Sequence, residues 1–377
     1  MSYVSQKLEY FDSSDFRKAI ELQSHLTNPV DLSIGVPEEL TAKHIKKAGI
    51  KAIKDDKTTY TPANGIKELR EALAEKLVKE NNVPATSETV TIVPGLTTGQ
   101  LLVYMAVLDP GDEVIVFDPY YPPYPHLARA AGATVVFVST LPTFQPDLHA
   151  LEANITDKTK VLIINSPNNP TGAVYSEDTL RKVAKIAEKH KLLVISDEIY
   201  EHFVYGVKHF SIGSIYPNTL TMNGFSKEFA MTGWRIGYIS GPKEIIDAIN
   251  EIQQYTVMSS SSIAQHAALA ALKNRPKIQE KYHKKRTYLL KNLKDIGFDV
   301  WGAEGSFFTF IKAPNDLTDI EYVELAAKHN LILVPGRAFS NLHGFVRISY
   351  GADQKNLEKG VEIIKEINNK ILNSKSV

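Results

Sequence analysis

One lysine, Lys227, stands in a punctuated loop between a β-rich run at 219–223 and a second strand-like run at 235–241, with Gly224, Ser226 and Gly233-Trp234-Arg235 around it. A lysine amine that loses its proton attacks carbonyl carbon and forms a Schiff base. A lysine that only solvates a surface gains nothing from glycine-marked surroundings. Taken alone, a loop lysine is still most often ordinary surface charge, so the case rests on its company. Strand-like runs elsewhere end on Asp197, with Tyr200 three residues later, on Asn169 within Asn168-Asn169-Pro170-Thr171-Gly172, and on Tyr121 within Asp118-Pro119-Tyr120-Tyr121. Arg235 follows the lysine loop, and Arg347 lies in Val346-Arg347-Ile348-Ser349. A guanidinium is a planar, two-pronged donor for anionic oxygens.

The elements that must position these groups can be read from hydrophobic period. Continuous apolar, β-branched runs at 89–93, 113–117, 134–139, 161–165 and 192–196 alternate with helical patterns, among them one ending at 108 and another at 176–191. Short apolar strands separated by helices predict a mostly parallel sheet covered on both faces. Ligands of such sheets bind beyond the carboxyl ends of the strands, where Tyr121, Asn169, Asp197 and Lys227 are expected. Residues 94–98, Pro-Gly-Leu-Thr-Thr, connect a strand to an apolar helix whose first N–H groups offer a seat for phosphate. Earlier in the chain, helices are predicted at 14–25, 41–53 and 66–80, with a strand at 30–34. After Gly241 the pattern turns to helices at 242–257, 263–272 and 278–296, strands at 307–311, 331–334 and 346–350, and helices at 318–329 and 353–372. This predicts a large unit over 40–275 and a smaller α+β unit built from 1–39 and 276–377, with a frayed tail at 373–377.

Composition narrows the partners. Forty-three basic residues balance 43 acidic ones in 377, so no net field draws nucleic acid or an anionic membrane. A small-molecule partner is expected. The absence of cysteine excludes a disulfide framework, a thiolate metal site and a cysteine nucleophile, and no metal site is expected. The opening residues lack an apolar run of signal-peptide length, and nowhere do 18 apolar residues follow one another, which predicts a cytoplasmic chain.

Together the rim groups meet the needs of pyridoxal 5'-phosphate: an amine for its aldehyde, an anion for its ring nitrogen, donors for its phenolic oxygen, and a cation with a helix N-terminus for its phosphate. The sequence resembles the class I/II aminotransferases of the fold-type I pyridoxal-phosphate family. The likeness runs nearly end to end, through Tyr60, LDPGDEV at 108–114, NNPTG at 168–172, SDEIY at 196–200, SKEFAMTGWRIGY at 226–238 and the Arg347 segment. The resemblance implies an α/β fold with a mostly parallel seven-stranded sheet between helices. It also implies an enzyme that moves the amino group of an L-amino acid to a 2-oxo acid, 2-oxoglutarate being the expected acceptor, in two half-reactions. By the same resemblance Lys227 carries the Schiff base and shuttles the proton, and Asp197 pairs with the ring nitrogen. Asn169 and Tyr200 donate to the phenolic oxygen, and Tyr121 stacks on the ring. Arg235, Ser226 and the backbone at Leu96 and Thr97 are assigned to the phosphate. Arg347 takes the substrate α-carboxylate, with Gly35, Asn169 and Tyr121 around the substrate. Many relatives carry a hydroxyl three residues before the lysine, where this chain has Gly224. Tyr60 resembles the residue that reaches the neighbouring subunit's phosphate, which implies a homodimer with shared sites. A β-lyase or synthase of the same fold shares Lys227, Asp197 and Asn169. A cofactor-binding regulatory domain is the remoter alternative, because such proteins carry a basic DNA-binding domain before this fold and the opening residues are not expected to hold one. The donor is expected to be aspartate, aromatic or broad; the segment 251–262 contains no Lys or Arg, which leans toward aromatic or neutral side chains.

Overall fold

The computed structural model describes residues 3–11 and 25–373. Its strands, in chain order, are β1 (Val30–Asp31), β2 (Val90–Val93), β3 (Glu113–Asp118), β4 (Thr134–Ser139), β5 (Thr159–Asn165), β6 (Leu193–Asp197), β7 (Thr219–Gly224), β8 (Gly237–Ser240), β9 (Phe308–Lys312), β10 (Leu331–Ile332), β11 (Val334–Pro335) and β12 (Phe345–Ser349). Seven of them form one sheet in the order β2-β8-β7-β6-β5-β3-β4. Only β8 runs against its neighbours, β2 and β7; the other pairings are parallel. The expected α/β class and mostly parallel seven-stranded sheet are therefore present. Strands such as Val114–Val116 and Val161–Ile164 are buried on both faces, as crossover helices on two sides require.

Chain order reverses at β3, which pairs with β4 on one side and β5 on the other. Ligand crevices of open α/β sheets lie beyond the carboxyl ends of the strands at such a reversal. The second sheet, β11-β12-β9, is antiparallel, and β1 pairs in parallel with β10, Val30 opposite Leu331, which brings the N-terminal segment onto C-terminal elements.

The expected helices at 41–53, 66–80 and 176–191 are found as Lys43–Lys54, Lys67–Asn81 and Glu177–Lys189, each within two residues at either end. Among the described residues two α-helices were not expected from the sequence. Pro123–Ala130 begins on prolines, which reads as a loop but is tolerated in a first turn where the N–H is unpaired anyway. Leu148–Ala153 is short and held by its cap, with Asp147 Oδ1 accepting the N–H groups of His149 and Ala150 at 3.0 Å. The single strand expected at 331–334 is two strands belonging to different sheets, β10 with β1 and β11 with β12. The run expected at 235–241 is shortened to β8 because Arg235 adopts a left-handed φ of 52°. The helix expected at 14–25 falls, up to residue 24, outside the described residues, as do residues 374–377 of the tail. Among the described residues no helix is long and apolar enough to cross a membrane.

Candidate active site

Asp197 and Asn165 are the last residues of β6 and β5 and lie side by side in the parallel register. Asn165 Nδ2 donates to the Asp197 carbonyl at 3.0 Å, and its Oδ1 accepts the Asn169 N–H at 2.9 Å. Asn165 thus ties the Pro-rich turn to the aspartate strand. Within that turn Asn168 spends its side chain on Thr171, accepting from the N–H at 3.0 Å and the hydroxyl at 2.8 Å, and so leaves Asn169 to face the cavity.

The Asp197 carboxylate is buried, 5% exposed. Tyr124 Oη donates to its Oδ2 at 2.8 Å and the Ile199 N–H to its Oδ1 at 3.1 Å. Burial raises its pKa to about 6 against those two donors, with Glu198 adding to the rise and Lys227 opposing it. A cation brought against this carboxylate favours its charged form. Tyr124 is not marked in the sequence, and Asn165 is marked there only as a polar strand end with no role of its own. Tyr124 sits on a helix whose prolines concealed it, and an asparagine closing a strand carries no distinctive pattern.

Lys227 lies in the turn between β7 and β8, and its Nζ donates to the Gly35 carbonyl at 2.6 Å. Burial lowers its pKa to about 8, assisted by the charges of Arg347 and Arg235 and opposed by Asp197. A lysine so placed supplies a neutral amine nearer to physiological pH than an exposed one. Behind this loop Glu201 accepts from Asn223 Nδ2 at 2.7 Å and Asn81 Nδ2 at 2.6 Å and pairs with Lys76. Glu198 accepts from Ser196, Ser211 and His209. Glu198, Glu201 and His209 bring possible ligand atoms within 4.8 Å of one another, yet these carboxylates are already engaged as structural acceptors.

Arg347, in the central strand β12, is 7% exposed. Its Nη1 donates to Asn169 Oδ1 at 3.0 Å and its Nη2 to the Ser33 carbonyl at 2.6 Å, while Nε is buried without a partner. The rings of Phe308 and Phe339 flank the guanidinium, with centroids 4.3 and 4.5 Å from Cζ. Burial brings its pKa down to about 10, so it stays cationic at neutral pH.

These groups share one cavity of about 340 Å³. Gly35, Leu96, Thr97, Tyr121, Asn169, Asp197, Tyr200, Ser226, Lys227, Arg235 and Arg347, all named from the sequence, line it together with Tyr124 and Asn165. Tyr60 does not; it is 81% exposed on the surface. No crowding demands glycine at Gly35, where an added Cβ would meet nothing within 4 Å. At Gly224 a Cβ would come to 3.0 Å from Gly237 Cα, so a larger residue there would need β7 and β8 to part by a few tenths of an ångström. Thr97, Ser226 and Thr232 are the serine and threonine hydroxyls among the described residues that line the cavity.

The donor set fits pyridoxal phosphate. Gly95 has φ 81°, and a Cβ there would collide with Arg235 Nη2 at 2.5 Å, so glycine is what lets the guanidinium fold onto the start of the helix Leu96–Val107. A cation at a helix N-terminus is a seat for a phosphate dianion. Arg235, Thr97 and Ser226 would hold that group, Asp197 the ring nitrogen and Lys227 the aldehyde carbon.

The comparisons agree with this geometry. Residues 27–364 match the model for aminotransferase class I and II. The chain is 41% identical to the aspartate/prephenate aminotransferase of Thermus thermophilus over 356 residues, covering 92% of each protein. It is 35% identical to the aromatic-amino-acid aminotransferase 2 of Thermococcus litoralis, covering 97% of this chain and 98% of that protein. Among solved structures, a double mutant of Thermus thermophilus aspartate aminotransferase superposes with a TM-score of 0.93 at 39% identity, over 97% of this chain and all of that one. Fold and site define a pyridoxal-phosphate-dependent transferase of nitrogenous groups. The chain belongs to the class I and II aminotransferase family, and its reaction is amino-group transfer between an amino acid and a 2-oxo acid.

Proposed function

We propose that Lys227, Asp197 and Arg347 perform the chemical, electronic and substrate-holding parts of this transfer, with 2-oxoglutarate as acceptor. The observation that carries the reading is their convergence on one cavity from three separate parts of the chain. When bound, pyridoxal phosphate supplies the electron sink for the charge left at the substrate α-carbon. Lys227, neutral above pH about 8, would take the substrate α-proton on its Nζ. The Asp197 carboxylate, held by Tyr124 and the Ile199 N–H, would keep a proton on the ring nitrogen. Tyr200, buried with its phenol pKa raised well above the ordinary value, remains a hydrogen-bond donor and with Asn169 would donate to the phenolic oxygen. Tyr121 would stack on the ring, and Gly35 and Tyr121 would bound the substrate.

The cations among the described lining residues are Lys227, Arg235 and Arg347. Assigning them to the amine, phosphate and α-carboxylate roles leaves none for a second substrate carboxylate within this subunit's share of the site. Neutral and aromatic donors suit Val36, Ile199, Tyr121 and Tyr124 in the same wall. The relatives named for aspartate and prephenate support a breadth that includes acidic side chains, for which the cation must come from elsewhere, such as a partner subunit. A screen of amino donors against 2-oxoglutarate measures this breadth directly.

Arg347→Lys tests the clamp. Lysine keeps the charge but loses the fork, and losing one side of a desolvated charged pair is felt at about 2–5 kcal/mol, against under about 1 kcal/mol for an exposed one. The expected result is a fall of at least about thirtyfold in kcat/KM, equal for every donor because the α-carboxylate is common to all. A fall below tenfold, or one confined to acidic donors, removes Arg347 from the role.

We further infer a cytoplasmic homodimer with shared sites and a division into a large unit, 40–275, and a small one made of 1–39 with 276–377. The cysteine-free composition fits a reducing compartment, and the β1–β10 pairing supports the shared small unit. The exposure of Tyr60, with Ile50, Ile53, Tyr255 and Met258 also exposed, supports a partner surface. Exchanging subunits between inactive Lys227→Ala and inactive Tyr60→Ala dimers is expected to restore about one competent site per hybrid. Verified hybrids that stay inactive, given a severely impaired Tyr60 variant, would count against shared sites.

A further inference from the structure

The tip of β3 is fastened to the segment that walls the Arg347 site. Asp118 closes β3 and is 4% exposed. Its backbone carbonyl is already satisfied by the Thr140 N–H and hydroxyl, both at 2.9 Å, so the strand end does not need its side chain. The carboxylate instead receives the Ser340 hydroxyl, the Asn341 N–H at 3.1 Å and Asn341 Nδ2 at 3.4 Å. Two residues beyond Asp118, the Tyr120 N–H donates to the Phe339 carbonyl at 2.7 Å. Phe339 is one of the two rings flanking the Arg347 guanidinium, and Tyr121, next to Tyr120, faces the same cavity. Burying a carboxylate without a counter-ion is unfavourable unless donors saturate it. Here every donor that reaches it from a side chain or loop belongs to residues 340 and 341.

We propose that Asp118 is a positioning residue for the substrate: by clasping Ser340 and Asn341 it fixes Phe339, and through that ring the plane of the Arg347 guanidinium, relative to the Tyr121 loop. The inference rests on the reading of Arg347 as the α-carboxylate holder. A fork that binds a planar carboxylate is sensitive to tilt, whereas Lys227 and Asp197 are held by β6, β7 and the Gly35 carbonyl and do not depend on this clasp. The clasp therefore governs binding of every substrate carboxylate, donor and acceptor alike, and not the chemical step.

Asp118→Asn is the test in the holoenzyme, because it changes almost no volume but turns one acceptor into a donor facing the donors of Asn341. The expected result is a rise of about tenfold in KM for both an amino donor and 2-oxoglutarate, with kcat within about threefold and the bound cofactor's absorbance unchanged. Ser340→Ala should move KM the same way by less, and Asp118→Asn/Ser340→Ala no further than Asp118→Asn alone. A KM within twofold of wild type overturns the proposal, as does a KM rise accompanied by an equal loss of kcat or of cofactor, which marks general loosening. Should Asp118→Asn fail to fold, Ser340→Ala and Asn341→Ala carry the same split between KM and kcat, and unchanged KM in both overturns it. Arg347→Lys measured in parallel separates the two ideas: if KM moves there but not in Asp118→Asn, the clasp alone fails; if it does not move there, the substrate reading fails and the clasp with it.

Discussion

Lys227→Ala is expected to abolish turnover and to leave any retained cofactor unattached to the protein. Among the described residues no other lysine lines the cavity to supply a second amine. After borohydride reduction and digestion of the wild-type enzyme, the pyridoxyl label should sit on Lys227; label on another lysine would sink the assignment. The pH dependence carries its own sign. Burial, with Arg347 and Arg235 nearby, lowers the Lys227 pKa to about 8. Below that pH the amine is protonated and cannot attack, so covalent capture of the cofactor by apoprotein should accelerate about tenfold per pH unit up to about 8 and level off above. An exposed lysine would go on accelerating to about pH 10. A profile of that second kind would show that the cavity does not activate the amine.

Asp197→Asn should leave a folded protein that retains cofactor but loses activity by roughly a thousandfold or more, the scale on which a preorganised charge at a developing centre is felt. Asparagine can keep one of the two hydrogen bonds but cannot hold a proton on the ring nitrogen, so the loss should fall on proton abstraction from the α-carbon. Single-turnover kinetics in the donor half-reaction checks this, and a wild-type rate constant there would reduce Asp197 to a structural role. In the wild-type apoprotein the carboxyl pKa is raised to about 6, chiefly by burial. As pH falls through 6 it takes up a proton and loses its charge, so cofactor affinity should decline there, and the decline should be absent in the asparagine variant.

Much of this site was legible in the sequence because its residues stand where strands end. A parallel sheet buried on both faces writes itself as short apolar runs, so the polar residues that stop those runs, Asp197, Asn169 and the Lys227 loop, are marked by contrast. The sequence likewise determined that glycine and proline punctuate the rim and that charge is balanced over the chain. Only the tertiary structure decided how Arg347 meets Asn169, 178 residues away, because the register of β12 between β11 and β9 depends on long-range packing. It also decided that one apolar run divides between two sheets as β10 and β11, and that Tyr124, hidden behind prolines, supports the Asp197 carboxylate. The clasp of Asp118 on Ser340 spans 222 residues, so the end of an apolar run marks the aspartate in the sequence but not its partner. Local chemistry announces which groups are available, but partners distant in sequence are chosen by the packing of whole elements, and that choice becomes visible only in three dimensions.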